Sequence, residues 1–225
     1  MSELEKQYVI NFEGATISQG KDILTDVNLK IEEGEFLYII GKTGTGKSSL
    51  LKTIYAEIPL KIGTAEVCGF KLNDIKKKNI PLLRRKLGII FQDFQLMQDR
   101  NVFDNIAFVL KAVGVKDKNE IEQRVVQTLS DVGLADKGNE KTYNLSEGEM
   151  QRVVVARAIV NNPEVIIADE PTGNLDPITS EEIVKLLLKI NQERKTTVIM
   201  ATHDYIVIEK FRQRVICCEN GKVIS

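Results

Sequence analysis

Residues 41–48 read Gly41-Lys42-Thr43-Gly44-Thr45-Gly46-Lys47-Ser48, and no other stretch constrains the fold as tightly. The run fits G-x-x-x-x-G-K-[ST], in which glycines let the backbone curl until successive N–H groups point inward at a phosphate. Phe36-Leu37-Tyr38-Ile39-Ile40 before it is short, apolar and rich in β-formers, and reads as a buried strand. After it, Leu50, Leu51, Ile54 and Tyr55 recur at helical spacing. The motif therefore joins a strand to a helix N-terminus, which adds about half a unit of positive charge at the loop. Gly41, Lys42, Thr43, Gly44, Thr45, Gly46, Lys47, Ser48 and Ser49 form the expected phosphate-binding set. Lys47 is expected to reach the β- and γ-phosphates of a nucleotide, and the Ser48 hydroxyl to bind Mg²⁺.

The rest of the chain sets the frame for this loop. With 225 residues it is long enough for one large domain or two small ones, and can bury a substantial core. A formal net charge of −1 leaves no overall basic footprint, so nucleic acid is not an expected partner. No apolar run approaches the ~20 residues of a membrane helix, and Met1-Ser2-Glu3-Leu4-Glu5-Lys6 lacks the apolar core of a signal peptide. A cytoplasmic protein is expected, held at any membrane by something else. Cys68, Cys217 and Cys218 are odd in number and lack metal-ligand spacing, which reads as small buried residues in a reducing compartment.

Strand patterns fall at 8–12, 23–31, 36–40, 64–68 and 87–91, with Glu32-Glu33-Gly34-Glu35 as a turn and a helical turn over Leu82 to Arg85. From about Asn101 to Val160 the period is helical: Ile106, Leu110 and Val113 share one face, and Ile121, Val125, Leu129 and Val132 another. Asn119-x-x-Glu122 is a plausible capping box. Val165–Ala168 and Thr197–Ala201 read as strands, Asp176-Pro177 as the start of a helix, and Val215–Cys218, Asn220-Gly221 and Val223-Ile224 as a hairpin. Strands alternating with helices predict a parallel α/β core. The expected division is one domain over 1–225, with a core of about 1–92 and 161–225 and a helical insertion of about 93–160.

Two further groups belong to the expected site. Asp169-Glu170 follows an apolar strand, and acids at the C-terminal end of a parallel strand lie where ligands bind in such sheets. Asp169 is expected to hold Mg²⁺, and Glu170 to orient and polarise the attacking water. His203, the only histidine, stands one residue past a strand in Thr202-His203-Asp204, where a neutral ring could hydrogen-bond a γ-phosphate.

Leu145-Ser146-Glu147-Gly148-Glu149-Met150-Gln151-Arg152 precedes a helical pattern, and here the chain resembles the ATPase subunits of ABC transporters. Leu145, Ser146 and Gly148 match the usual Leu-Ser-Gly-Gly-Gln signature, while Glu147 and Glu149 depart from it. The resemblance implies a P-loop NTPase fold of the ABC ATPase type, with a RecA-like parallel-sheet core, an N-terminal antiparallel β subdomain and an inserted α-helical subdomain. It implies Mg²⁺-dependent ATP hydrolysis by a homodimer that forms head to tail on ATP binding. Ser146 and Gly148 would contact the γ-phosphate of ATP held by the other subunit. Gln92 matches a glutamine that ligates Mg²⁺ and water and senses a transmembrane partner, Asn174-Leu175-Asp176 a loop at the dimer seam, and His203 the switch histidine. The family usually stacks adenine on an aromatic side chain upstream of the P-loop. No aromatic lies between Phe12 and Phe36 here, and Ile17 or Gln19 falls at that position.

A narrower resemblance is to the FtsE family of bacterial cell-division ATPases. It rests on Phe91–Asn105, above all Asp99-Arg100-x-Val102, on Ala168–Asp176 and on Met200–Asp204. It implies an integral-membrane partner resembling FtsX and a place on the inner face of the plasma membrane, with regulation of cell-wall hydrolases as the output. Lipoprotein-releasing and macrolide-export ATPases share Asp-Glu-Pro-Thr-Gly-Asn-Leu-Asp, so energising such a transporter is the alternative. A groove for a helix of the membrane subunit is expected at Phe94, Leu96, Met97, Val102 and Phe103.

Overall fold

The computed structural model describes residues 7–224; the polar stretch Met1–Lys6 lies outside them. In chain order the elements are β1 (Tyr8–Gln19), β2 (Lys21–Glu32), β3 (Phe36–Ile40), α1 (Lys47–Ile54), β4 (Ile62–Val67), β5 (Phe70–Lys71), α2 (Ile80–Arg85), β6 (Leu87–Ile90), α3 (Val102–Val113), α4 (Lys118–Asp131), α5 (Glu147–Ile159), β7 (Val165–Asp169), α6 (Pro177–Arg194), β8 (Thr197–Ala201), α7 (Tyr205–Lys210), β9 (Arg214–Glu219) and β10 (Lys222–Ile224). They form two sheets among the described residues. One is four-stranded in the order β2-β1-β4-β5, and the other six-stranded in the order β10-β9-β3-β8-β7-β6.

Strands β9, β3, β8, β7 and β6 run parallel, each beside the next, and β10 closes the edge as the second arm of a hairpin. Because side chains alternate across a strand, β3 splits its core contribution between two layers. Phe36 and Tyr38 enter the cluster that takes in α3, α4, α5 and α6. Leu37 and Ile39 face the opposite cluster, with Leu50, Leu51 and Ile54 of α1 and the inner face of the antiparallel sheet. A parallel sheet covered on both faces explains why β3, β7 and β8 are continuous apolar runs.

Helices α3, α4 and α5 lie in the chain between β6 and β7, and their buried side chains join one continuous cluster with the sheet. Ile121, Val125, Leu129 and Val132 are all buried along one face, as their spacing requires.

Local differences from the sequence reading have physical causes. Strand β1 extends to Gln19, because Gly14 takes φ +56° at a register shift and pairing with β2 resumes beyond it; the bulge interrupts the apolar alternation. The cap of α4 is Asp117, whose carboxylate accepts from the N–H groups of Asn119 and Glu120. Asn119 is therefore inside the helix, and the expected Asn119/Glu122 box does not form. Of the residues expected to line an apolar groove, Leu96 and Val102 are buried, and Phe94 and Phe103 pack half-buried against the core. Sequence alone could not separate these uses, since a packing face and a docking face draw on the same side chains. All three cysteines are free; Cys68 and Cys218 are buried and Cys217 half-buried.

Candidate nucleotide site

The C-terminal ends of three neighbouring interior strands meet on one side of the large sheet. Strand β3 runs into the glycine loop, and β8, its direct neighbour, lies between β3 and β7. Backbone hydrogen bonds hold the ends together: Thr202 N–H donates to Ile39 O at 3.1 Å, and Glu170 N–H to Ala201 O at 2.9 Å. The topology thus brings Lys47, Asp169, Glu170 and His203 together from segments far apart in the chain.

The loop is shaped by close approach. Gly41 takes φ +146°, and a Cβ there would stand 2.4 Å from the Cys218 carbonyl oxygen, so a side chain cannot be accommodated without moving β9. Inside the loop, the Lys47 ammonium donates to Gly41 O at 2.7 Å. It also stands 3.6 Å from Glu170 Oε1, with Lys47 only 8% exposed. Glu170 Oε2 in turn lies 2.9 Å from His203 Nδ1. A cation, a carboxylate and an imidazole are therefore linked across the mouth of the loop. Glu170 adopts φ +49°, a conformation unusual for a residue with a Cβ. Such strain persists where surrounding structure enforces it and concentrates at functional positions.

Burial pushes the Asp169 carboxyl up from its ordinary value, against a hydrogen bond from Ser48 that lowers it. Its Oδ1 is buried and has no hydrogen-bond partner. Among the described residues no group of three His, Cys, Asp or Glu could hold a metal ion. The orphaned Asp169 oxygen and the Ser48 hydroxyl bonded to the same carboxyl are oxygen donors of the kind that suits a hard cation.

A cavity of 530 Å³ is lined by Thr43, Gly44, Gly46, Lys47, Ser48, Ser49, Gln92, Glu170 and His203, all expected site residues. Its remaining lining residues, Lys21, Asp22 and Ile23, were not expected. They begin β2 at the tip of the β1–β2 hairpin, and only the docking of that hairpin beside the loop brings them in; no local pattern in the sequence marks them. Ile17, by contrast, is completely buried in the core. Gln19 is exposed, its Oε1 at 3.5 Å from the Ser49 hydroxyl. Gln92 is tied to the segment after Glu170, since Asn174 Nδ2 donates to Gln92 O at 3.2 Å.

Ser146, Gly148 and Asp176 do not enter this cavity. With Glu147, Glu149, Arg152 and Thr179 they line a separate one of 350 Å³. Ser146 caps α5 in a closed capping box: its N–H and hydroxyl both donate to Glu149 Oε2, at 2.9 and 3.0 Å, and its Oγ accepts from Glu149 N–H at 3.3 Å. The hydrogen bond from the Ser146 N–H and the Lys137 ammonium at 3.1 Å hold the Glu149 carboxyl below its ordinary value. The departure from glutamine at Glu149 is thus absorbed by a cap and an ion pair. Asp176 caps α6, and its pKa is lowered by bonds from the Thr179 hydroxyl, from the Thr179 N–H at 3.1 Å and from the Ile178 N–H at 2.9 Å.

Comparison with known proteins agrees with this geometry. A family model for ABC transporters matches residues 24–173. The FtsE cell division ATP-binding protein of Streptococcus pneumoniae is 46% identical over 91% of the chain and 88% of its own length, and that of Bacillus subtilis 45% identical over 91% and 89%. The methionine import ATP-binding protein MetN of Clostridioides difficile is 42% identical over 90% of the chain but only 63% of its own length. Among solved structures, cbiO1 of Clostridium perfringens superposes with a TM-score of 0.90 at 32% identity, covering 98% of this chain and 88% of that one. A dimeric post-hydrolysis state of the ATP-binding cassette MJ0796, bound to ADP and phosphate, gives 0.83 at 35% identity over 95% and 96%. This chain belongs to the ABC transporter family, as an ATP-binding subunit that hydrolyses ATP.

Proposed function

We propose that the protein is a Mg²⁺-dependent ATPase of the FtsE kind, which closes head to tail with a second copy around two ATP molecules and drives an FtsX-like membrane subunit in cell division. The observation that carries this reading is the joint position of Lys47, Glu170 and His203 at one loop mouth, in a chain that aligns with FtsE proteins over nearly their whole length. The shorter match to MetN, 63% of that protein, favours the cell-division reading over an importer.

In this mechanism Lys47 and the N–H groups of the loop bind the β- and γ-phosphates. Ser48, Gln92 and Asp169 would hold Mg²⁺, which when bound neutralises charge on the phosphate oxygens. Arrival of phosphate gives Lys47 a new anion and frees Glu170 from it. Glu170 then takes the role of orienting and polarising the attacking water, with His203 bridging carboxylate and γ-phosphate. Ser146 and Gly148 sit in a cavity apart from Lys47, which suits contact with the nucleotide held by a second copy, with Asp176 near the seam. ATP binding would favour the closed dimer and hydrolysis the open one. No helix among the described residues is long and apolar enough to cross a membrane, and a peripheral location on the inner face, through the partner, follows from the proposal. The output would be control of cell-wall hydrolases through that partner.

Co-expression with the FtsX-like membrane subunit tests the partner. The chain should co-elute with it in detergent, and ATP turnover should change on addition of the partner. Elution as separate species, with turnover unaltered, would contradict the cell-division reading while leaving the ATPase intact.

A further inference from the structure

Lys21, Asp22 and Ile23, at the tip of the β1–β2 hairpin, wall part of the cavity beside the glycine loop. None of the residues lining the cavity is Phe, Tyr or Trp. A base entering it meets no π-face, and stacking on an aromatic ring is a principal source of affinity for a nucleobase. The wall offers an aliphatic face and two charged groups instead. Ile23 is wedged against the loop: a Cβ on Gly46 would lie 2.9 Å from Ile23 Cγ2. Ile17, the nearby candidate on β1, is fully buried and cannot turn toward the cavity. Asp22 is held by the Ser18 hydroxyl, which donates to its Oδ1 at 2.7 Å, and so presents a fixed, exposed acceptor. Lys21 beside it is exposed and supplies a donor.

We propose that this cavity takes purine nucleoside triphosphates without selecting adenine, with Ile23 as an aliphatic support for the ring and Lys21 and Asp22 facing its polar edge. The chemistry of the two purines permits it. Adenine presents an exocyclic amino donor, which a carboxylate can accept. Guanine presents the O6 acceptor, which an ammonium can meet, and N1–H and amino donors, which a carboxylate can accept. A wall holding one donor and one acceptor fits either edge, and the phosphate contacts common to both nucleotides dominate affinity. This inference deepens the ATPase reading and rests on the cavity being its nucleotide site.

The test is displacement of a fluorescent ATP analogue from the full chain, with Mg²⁺ present, by ATP and by GTP. GTP should bind within tenfold of ATP, a difference below about 1.4 kcal/mol. A larger preference for ATP overturns the inference and leaves the ATPase reading standing, whereas failure of the analogue and ATP to bind at all overturns both. Lys21→Glu at the exposed hairpin tip supplies the second measurement. Replacing the donor by an acceptor should weaken GTP at least fivefold more than ATP. If both weaken equally, Lys21 faces the phosphates and the edge assignment is wrong.

Discussion

Glu170 has two partners, the Lys47 ammonium at 3.6 Å and His203 at 2.9 Å. In the proposed mechanism a γ-phosphate competes for both, and the carboxylate is the internal anion that a nucleotide would displace. Lys47→Ala should cost about 2–5 kcal/mol of ATP affinity, the range for truncating one member of a desolvated charged contact; calorimetry would read it, and unchanged affinity would rule out the lysine as a phosphate ligand. Glu149 gives a pH-dependent expectation. Its folded pKa lies below the ordinary 4.5, held there by the Ser146 N–H and Lys137. A depressed carboxyl contributes stability above its unfolded value and loses it as pH falls through the folded one. Glu149→Gln should therefore melt below wild type near about pH 6, and the gap should close in acid as wild-type Glu149 protonates. A gap independent of pH would mean that the ion pair with Lys137 contributes nothing.

Elements were legible in the sequence where their signals are local. The glycine loop, its strand and its helix follow from adjacent residues, and Asp176-Pro177 starts α6 as a capping acid before a first-turn proline should. Illegible features depend on what the chain packs against. Gly14 hides half of β1, and the apolar side chains after Gln92 could not be divided between core and surface until α3 was in place. Asn105 shows how that segment is fastened. Completely buried, it accepts from Met97 N–H at 2.9 Å and donates to Met97 O at 3.1 Å and Asn101 O at 2.9 Å. Asn105→Ala leaves these backbone groups unsatisfied and should lower stability by about 3 kcal/mol, measured as a shift in the urea midpoint at constant slope. A variant as stable as wild type would show that water replaces the amide, and that the loop after Gln92 is held by its apolar contacts alone.

At the scale of the whole molecule, the parallel sheet sets the distance between the groups of the site. Strands β3, β8 and β7 lie side by side and parallel, so the loop, His203 and the Asp169-Glu170 pair come together at their C-terminal ends. The motifs named these residues from the sequence; their meeting, and the Lys21-Asp22-Ile23 wall, are products of the topology. The same topology leaves Ser146 and Gly148 in a second cavity, lined without any residue of the first. With the glycine loop and Ser146 in separate cavities, the proposed mechanism requires two copies. Sedimentation of Glu170→Gln with Mg-ATP tests this most directly. The substitution keeps the size of the side chain and removes its charge, so hydrolysis should fall by orders of magnitude while ATP still binds. The predicted result is a dimer with ATP and a monomer with ADP. A variant that binds ATP, fails to hydrolyse it and still sediments as a monomer would contradict closure of two copies around ATP.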